Sequence, residues 1–481
     1  MESKKIKENG VVYTPKYIVD MILDQSGYYG SQILKKHVID NSCGDGAFLT
    51  RIVERYITEF FKINELNIDT KLTLLDELKK FVHGIEIDQI SVTLCQNNLN
   101  NILKKHDLDL IDWDVFQGNS LEVTKYDKMM DYVIGNPPYV RIHNIKKNLD
   151  FVKEQRFSNG GMTDLFIIFY DLGLNMLNDS GILSYITPSS IFHSIAGTNF
   201  RKHIITNKLL TSVIDFRHFQ AFEKFITYTA IITLDMKNKH DIVEYSILNT
   251  DDLSKKSIDS LKYESFYLQS AFYFGKSEIL SQLSDVLSQS LKDNSIEVKN
   301  GFATLNDSLF IQPEFNISSK YIYPVLKAST KKWNQIIFPY DVDGNPIDFD
   351  DLGKLKEYFQ IHSQTLKNRS LEKENYWWLF GRSQGIKDFW KEKLAINTLI
   401  RKTGDLKIQY LKAGQGIYSG LYILADPSQY RQISNWLCSD DFANYVSLLG
   451  KYKSGGYYAF STSDVKRFLL YMKNKESGGT I

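Results

Sequence analysis

The fold follows from one stretch, Val38-Ile39-Asp40-Asn41-Ser42-Cys43-Gly44-Asp45-Gly46-Ala47-Phe48, which predicts a strand, a glycine turn and the start of a helix. Glycines tolerate backbone conformations that other residues avoid, so Gly44 and Gly46 allow the chain to pass close to a bound molecule. Asp40, at the tip of the strand, offers a carboxylate to a cation or a hydroxyl group. A tight turn without any ligand is the alternative interpretation.

Outward from this stretch, short β-branched runs alternate with longer amphipathic stretches between residues 36 and 237. Such alternation predicts an α/β fold with a doubly wound, mostly parallel sheet. In sheets of this kind ligands bind at the carboxyl ends of the strands. The predicted strands are residues 37–40, 81–86, 131–135, 182–187, 211–215 and 230–234, and the predicted helices are residues 48–62, 89–103 and 164–177.

A chain of 481 residues is too long for one ordinary core and predicts two domains. The composition and the predicted secondary structure change near residues 240–260, so we expect domains at 1–250 and 251–481. Residues 251–297 look helical and polar. The chain that follows is loop-rich and aromatic, which predicts a mixed α+β domain.

The most informative motif is Asn136-Pro137-Pro138-Tyr139, directly after the apolar run of the third predicted strand. Two prolines fix two φ angles and remove two backbone donors, so the turn is rigid and its carbonyls stay free to accept hydrogen bonds. The Asn136 amide adds another acceptor, and Tyr139 adds a flat face. Together they suit a planar heterocycle that carries an amino group.

Two further polar positions follow predicted strands. Glu86 ends the second strand, where acids grip ribose hydroxyls in nucleotide-binding α/β folds. Its distance from Asp40 exceeds the roughly 20 residues of a simple dinucleotide site, which weakens an NAD interpretation. Asn119 is able to pair with the edge of an adenine ring. A solvated acid and an Asn in an ordinary turn are the alternatives at these positions.

Composition limits the classes of protein that fit. The formal net charge is +1, so binding of nucleic acid requires positive charge clustered on one face. Three distant cysteines predict neither a metal site nor a disulfide framework, and they suit a reducing cytoplasm. No run approaches a membrane span. The segment 381–412 is locally basic, as contact with phosphates requires, although a solvated helix face is the alternative and the more common one for any single lysine. Its basic residues are Arg382, Lys387, Lys391, Lys393, Arg401, Lys402, Lys407 and Lys412.

In this order, the motifs resemble the Taq-type γ-class of adenine-N6 DNA methyltransferases, which use S-adenosylmethionine. The resemblance covers most of the chain. It begins at Gly10-Val11-Val12-Tyr13-Thr14-Pro15 and includes the motifs of Asp40, Glu86 and Asn136. It continues through Gly160-Gly161-Met162-Thr163-Asp164-Leu165-Phe166 and the strand of residues 181–188. The fold implied is a Rossmann-like methyltransferase domain followed by a target-recognition domain.

The resemblance also implies which residues hold S-adenosylmethionine. Thr14 is expected at the methionine end, Glu86 at the ribose, Asn119 at the adenine amino group and Pro138 against the adenine ring. The family usually has Asp where this chain has Asn119, which keeps an acceptor and loses a charge. The full set expected at the cofactor is Tyr13, Thr14, Asp40, Ser42, Cys43, Gly44, Glu86, Ile87, Asn119, Ser120, Asn136 and Pro138.

By the same resemblance, Asn136, Pro137 and Tyr139 are catalytic. The Asn136 oxygen and the Pro137 carbonyl accept from the adenine amino group, and Tyr139 stacks on a base flipped out of the duplex. Phe222 is expected on the other face of the base, with Phe225 as a rival, and Arg141 is expected near the target strand. No Pro-Cys pair occurs in the chain, which argues against the cysteine route to cytosine C5.

The partners implied are double-stranded DNA and a possible cognate restriction endonuclease, with the protein acting as a monomer in the bacterial cytoplasm. No metal is expected. Only about a dozen residues precede the first cofactor motif, so no N-terminal nuclease domain is expected. The alternatives are an amino-group methyltransferase acting on RNA or on protein glutamine, and a DNA-binding protein with a decayed methylation site.

Overall fold

The computed structural model describes residues 14–140, 154–159, 163–222, 227–372 and 374–478. The chain separates into two compact units, of which the first ends at Ser281 and the second begins at Gln282. The boundary predicted at residue 250 falls instead in the turn between two paired strands of the first unit. The segment 251–297, predicted to be helical, begins with one of these strands, Ser254–Lys262.

The first unit contains a large sheet flanked by helices. Its strands are β1 (Val38–Asp40), β2 (Val82–Glu86), β3 (Asp114–Gln117), β4 (Met130–Gly135), β5 (Leu177–Pro188), β6 (Leu210–Asp215), β7 (Thr229–Asp235), β8 (Ile242–Asn249), β9 (Ser254–Lys262), β10 (Tyr267–Leu268) and β11 (Ala271–Phe272). Its helices are α1 (Lys16–Gln25), α2 (Ala47–Ile63), α3 (Ile68–Phe81), α4 (Gln89–Lys105), α5 (Leu165–Met176), α6 (Thr198–Thr206) and α7 (Tyr263–Phe266), and α8 (Ser277–Ser288) crosses the division.

Nine strands form the main sheet in the order β3-β2-β1-β4-β5-β7-β6-β8-β9. The strands from β3 to β5 pair in parallel, and so do β6 and β8, whereas β7 and β9 are antiparallel to their neighbours. The chain builds β2 and β3 on one side of β1 and then crosses to β4 on the other side. The predicted doubly wound, mostly parallel α/β sheet is therefore confirmed, with a topological switch point between β1 and β4.

Burial explains why these residues form these elements. Every residue of β1 is buried, as expected of a central strand covered on both faces. On α2 the buried side chains recur at helical spacing and form the face that packs on the sheet: Phe48, Leu49, Ile52, Val53, Tyr56, Ile57 and Phe60. The six strands predicted from sequence are all present in the main sheet, but its strands β3, β8 and β9 were not predicted.

The second unit is a mixed α+β structure. Its strands are β12 (Glu297–Asn300), β13 (Ile311–Gln312), β14 (Ile322–Lys327), β15 (Lys332–Ile337), β16 (Lys393–Ile396), β17 (Leu399–Ile400), β18 (Ile408–Leu411), β19 (Gly416–Tyr418), β20 (Leu421–Leu424), β21 (Tyr452–Lys453) and β22 (Tyr457–Ala459). Its helices are α9 (Asp307–Phe310), α10 (Lys354–Ile361), α11 (Ser363–Lys367), α12 (Tyr430–Leu437), α13 (Asp440–Leu448) and α14 (Thr462–Glu476).

Three small sheets organise these strands, in the orders β12-β20-β16-β18, β13-β15-β14-β19 and β17-β22-β21. An aromatic core packs against the second of them, and stacked Phe338 and Phe389 lie near its centre with ring centroids 4.0 Å apart. In the described ranges, no helix is long and apolar enough to cross a membrane.

Candidate functional site

The switch point brings Asp40 of β1 beside the end of β4. Asp40 is 1% exposed, and its Oδ1 accepts a hydrogen bond from the Ser42 amide at 3.0 Å. A Cβ placed on Gly135 would lie 2.6 Å from the same oxygen, so only glycine fits at the end of β4. The sequence pattern did not single out Gly135, because its requirement arises from a neighbouring strand.

Burial changes the ionisation of Asp40. Loss of hydration raises its pKa to about 8, the nearby negative charge of Glu86 adds to the rise, and the Ser42 amide opposes it. Asp40 therefore holds a proton at neutral pH in this structure. A cation bound beside it would favour the charged form instead.

The glycine turn after β1 is tied to the end of β2. The Gly44 amide donates to Glu86 Oε2 at 2.9 Å, and the Asp88 amide donates to Oε1 at 3.0 Å. A carboxylate has about four lone-pair positions, so Glu86 keeps acceptor capacity for hydroxyl groups. The next residue, Ile87, is 63% exposed and leaves an apolar surface beside this carboxylate.

The two glycines of the turn both have the left-handed backbone conformation that favours glycine. Gly44 has φ +53° with open space on its Cβ side, and Gly46 has φ +90°. A Cβ on Gly46 would lie 2.6 Å from Cys95 Sγ on α4. Cys43, which is buried, contacts the same thiol. Close packing against Cys95 thus accounts for Gly46, and the left-handed φ alone accounts for Gly44.

Asn119 closes its own turn after β3. Its Nδ2 donates to Glu122 Oε1 at 2.8 Å, and its Oδ1 accepts from the Leu121 amide at 3.2 Å. The neighbouring Ser120 hydroxyl donates to the backbone oxygen of Asn41 at 2.5 Å. Asn119 and Ser120 therefore lie at the same edge of the sheet as Asp40 and Glu86.

Asn41 is a residue of the site that the sequence interpretation missed. It is fully buried, and its side-chain oxygen accepts from the Tyr185 hydroxyl of β5 at 2.9 Å. Together with the bond from Ser120, this contact ties the end of β1 to the loop after β3 and to β5. A polar residue next to Asp40, at the end of an otherwise apolar strand, was the only available signal.

The two ends of the Asn136 side-chain amide differ in their hydrogen bonds to the described residues. Its Nδ2 donates to Thr14 Oγ1 at 3.1 Å, and its backbone oxygen accepts from Ser42 Oγ at 3.4 Å. Among the described residues, nothing donates to the buried Oδ1 atom. An unsatisfied buried acceptor costs about 1–3 kcal/mol. Because it lies at the edge of the sheet where ligands bind, this atom is a candidate acceptor for a donor on a ligand.

The rest of the loop after β4 shapes the site. Pro137 is buried and Pro138 is half-buried. The Tyr139 hydroxyl donates to the Ile186 carbonyl of β5 at 3.1 Å. Its ring meets Phe166 and Phe222 edge to face, each at 6.2 Å between centroids.

Phe222 contacts Tyr139 but does not form the second wall of an open sandwich. The two rings are inclined by 68°, and Phe222 is 4% exposed within the apolar core. Rings in edge-to-face contact leave no room for a third ring between them. The aromatic pair expected from the sequence is thus adjacent and closed in this structure.

Several expected residues lie outside the described ranges: Tyr13, Arg141, Phe225 and Gly160-Gly161-Met162. Among the residues that are described, no group of three or more His, Cys, Asp or Glu side chains is arranged to hold a metal ion. The described part of the expected site thus comes from the carboxyl edges of β1, β2 and β4, the turn after β3, and Thr14 before α1.

Comparison with known proteins adds to this geometry. Residues 60–222, less than half of the chain, match the sequence model of the family described as Eco57I restriction-modification methylase. The Type II methyltransferase M.BstVI of Geobacillus stearothermophilus is 27% identical over 76% of this chain and 73% of its own length. The Type II restriction enzyme and methyltransferase RM.Eco57I of Escherichia coli is 24% identical over 79% of this chain, which spans only 48% of that protein.

Two solved structures share the fold. The Type IIL restriction-modification enzyme MmeI in complex with DNA aligns with a TM-score of 0.63 at 13% identity, covering 96% of this chain and 64% of MmeI. A nuclease-deletion mutant of the Type ISP enzyme LlaGI in complex with a DNA substrate mimic aligns with a TM-score of 0.54 at 12% identity, covering 98% of this chain and 55% of LlaGI. These two structures show the fold alone, whereas the family model and the sequence relatives support a DNA methyltransferase of the restriction–modification type.

Proposed function

We propose that this protein transfers a methyl group from S-adenosylmethionine to N6 of adenine in double-stranded DNA at a short specific site. The observation that carries the proposal is the buried Asn136 Oδ1 atom, which lacks a donor among the described residues. An exocyclic amino group supplies such a donor. In a DNA-binding protein with a decayed methylation site, nothing would favour keeping a buried acceptor that costs folding free energy.

The residues present fit the cofactor. Glu86 has acceptor capacity left for ribose hydroxyls, and the exposed Ile87 offers an apolar face to a planar ring. Gly44 leaves open space on its Cβ side. Asp40 would hold the positively charged end, with Ser42 and Cys43 beside it, and Pro138 would pack on the adenine ring together with Ile87.

The bound cofactor supplies an electrophilic methyl group on a sulfonium. The protein must make a poor nucleophile reactive, because the lone pair of adenine N6 is delocalised into the ring. Asn136 Oδ1 and the Pro137 carbonyl would accept hydrogen bonds from the two N–H groups of the amino group and would favour a tetrahedral nitrogen with a localised lone pair. The contribution of the protein is positioning and electrostatic preorganisation.

Tyr139 is proposed to stack on the flipped adenine. Aromatic stacking is worth roughly 1–3 kcal/mol per base, comparable to the few kcal/mol that flipping a base costs. Phe222 must separate from Tyr139 before it can contact the other face of the base, because the rings now meet edge to face. A cognate endonuclease and a monomeric state on DNA stay predictions of the sequence.

The identity of the methylated atom tests the proposal directly. Incubation with labelled S-adenosylmethionine and duplex DNA, followed by nucleoside analysis, is expected to place the label in N6-methyladenine. Parallel reactions with RNA and with protein are expected to stay unlabelled. Label in N4-methylcytosine, in RNA or in protein glutamine contradicts the proposal.

Thr14 gives a narrower prediction about orientation. Its hydroxyl accepts from Asn136 Nδ2, so it helps to keep Oδ1 turned toward the base. Thr14→Val keeps the shape and removes this acceptor. The net value of one hydrogen bond, about 0.5–1.5 kcal/mol, predicts a loss in kcat of up to about tenfold at saturating cofactor. Thr14→Ser is expected to restore kcat, and an unchanged kcat in Thr14→Val would refute the positioning role.

A further inference from the structure

Part of the basic segment predicted to contact phosphates is engaged in contacts within the second unit. Within the basic segment 381–412, Lys393 is 2% exposed, and its Nζ donates to the carbonyls of Asp388, Phe389 and Lys391. Lys391 forms an ion pair with Asp388 at 2.8 Å. These two lysines are therefore engaged within the fold, and a surface for an anionic partner must be sought among the other basic residues of the second unit.

One exposed set of cations lies at the turn between β14 and β15. Lys331 and Lys332 are exposed there, and Trp333 is 40% exposed. The stretch from residue 315 to residue 340 contains four lysines and no acidic residue. An exposed tryptophan beside unopposed lysines is a combination typical of surfaces that contact nucleic acid.

Hydrogen bonds and a ring contact join this turn to two other basic segments. Lys407 Nζ donates to the Ser329 carbonyl at 2.6 Å, which places the loop 401–407 against the turn. The same loop follows β17, which pairs with β22 through Ile400 and Tyr458. The Arg401 guanidinium lies 4.8 Å from the centroid of the Tyr457 ring. We call these three connected segments, residues 329–333, 401–407 and 451–458, the basic surface.

Most of the charge on the basic surface is not neutralised. Arg401 pairs with Asp405 at 3.4 Å, and Lys451 pairs with the buried Asp464. Within the described ranges no salt bridge involves four of its exposed lysines, namely Lys331, Lys332, Lys402 and Lys453. This local excess contrasts with a whole-chain net charge of +1. Unpaired lysines repel one another, and a polyanion relieves that cost.

We propose that the basic surface binds the sugar–phosphate backbone of the DNA duplex. The inference rests on the proposed function and deepens it, because it names the part of the second unit that contacts the substrate. Lysine ammonium groups act as point charges toward phosphates. When they neutralise phosphates, counterions condensed on the DNA are released, which gives affinity that does not depend on base sequence. Trp333 and Tyr457 add flat, partly exposed faces that suit sugars and bases.

Two double variants test the proposal, Lys331→Ala with Lys332→Ala and Lys402→Ala with Lys453→Ala. A fluorescent duplex of mixed sequence is titrated at several salt concentrations. Each pair is expected to raise Kd by roughly tenfold and to reduce the slope of log Kd against log salt by about 0.9 for each phosphate that the variant no longer neutralises. Thermal unfolding verifies that each variant is folded.

The matched control is Lys79→Ala with Lys80→Ala, two exposed neighbouring lysines at the end of α3. They precede β2 and so lie at the opposite edge of the sheet from the site. The control is expected to keep the Kd and salt slope of the unmodified protein. Unchanged values in both test variants, or equal losses in the control, overturn the basic surface while leaving the proposed methylation intact. An unmodified protein that methylates no DNA overturns the proposed function itself.

Discussion

Replacing Asn136 with alanine is expected to reduce methyl transfer by about 10²–10³-fold, the range found when one preorganised electrostatic group is removed from an active site. The variant loses the buried Oδ1 acceptor that has no donor among the described residues, and it loses the bond from Nδ2 to Thr14. The lone pair of the adenine amino group then stays delocalised. The measurement is single-turnover transfer of labelled methyl groups to DNA at saturating cofactor.

Two further variants separate chemistry from folding. Asn136→Asp keeps an acceptor oxygen of the same shape but has no Nδ2 donor for Thr14, so we expect intermediate activity. Asn101→Ala removes an exposed amide from α4 and is expected to keep full activity. Cofactor binding by calorimetry is expected to persist in Asn136→Ala. Full transfer by that variant would remove Asn136 from the mechanism.

The sequence predicted those strands whose own residues are apolar enough to account for their burial. β4, β5 and β7 contain β-branched or apolar runs whose burial follows from their own residues. β9 is largely exposed and begins Ser254-Lys255-Lys256-Ser257, and it is held in the sheet by its antiparallel pairing with β8. The residue pattern of β9 does not predict a strand, and the division between the two units lies later in the chain than residue 250.

The sequence predicted which strand ends carry residues of the candidate site. It did not predict the hydrogen bonds and close contacts that join those residues. The bond between Asn136 and Thr14 joins residues 122 positions apart, and the need for Gly135 comes from Asp40 on another strand. Lys393 shows the same limit in the second unit. Its sequence context suggested a solvated lysine, whereas three backbone carbonyls around Nζ allow it to be buried.

Asp40→Asn is expected to stabilise the cofactor-free protein at pH 8 while weakening cofactor binding. The pKa of Asp40 is raised to about 8 from 3.8, so between these pH values the folded state holds a proton that the unfolded state has lost. Stability therefore falls as pH rises through this window. Asparagine keeps an acceptor for the Ser42 amide and does not ionise, which removes that loss.

The size of the effect follows from the linkage. Each unit of pKa shift corresponds to about 1.4 kcal/mol, so the gain in the free energy of unfolding at pH 8 is on the order of a few kcal/mol. That gain raises Tm by roughly 5 °C or more in a unit of this size. At pH 4 both forms carry a neutral side chain, and the two Tm values are expected to converge.

Saturating S-adenosylmethionine is expected to reduce the difference in Tm between the two proteins. A bound cation favours ionised Asp40, so the cofactor is expected to raise the Tm of the unmodified protein at pH 8 more than that of Asp40→Asn. Asp76→Asn, which changes an exposed carboxylate on α3, is the matched control and should leave the profile of Tm against pH unchanged. A lower Tm of cofactor-free Asp40→Asn at pH 8 would show that Asp40 is already ionised and paired without the cofactor. Equal cofactor shifts in both proteins would instead place the cationic end of the cofactor away from β1.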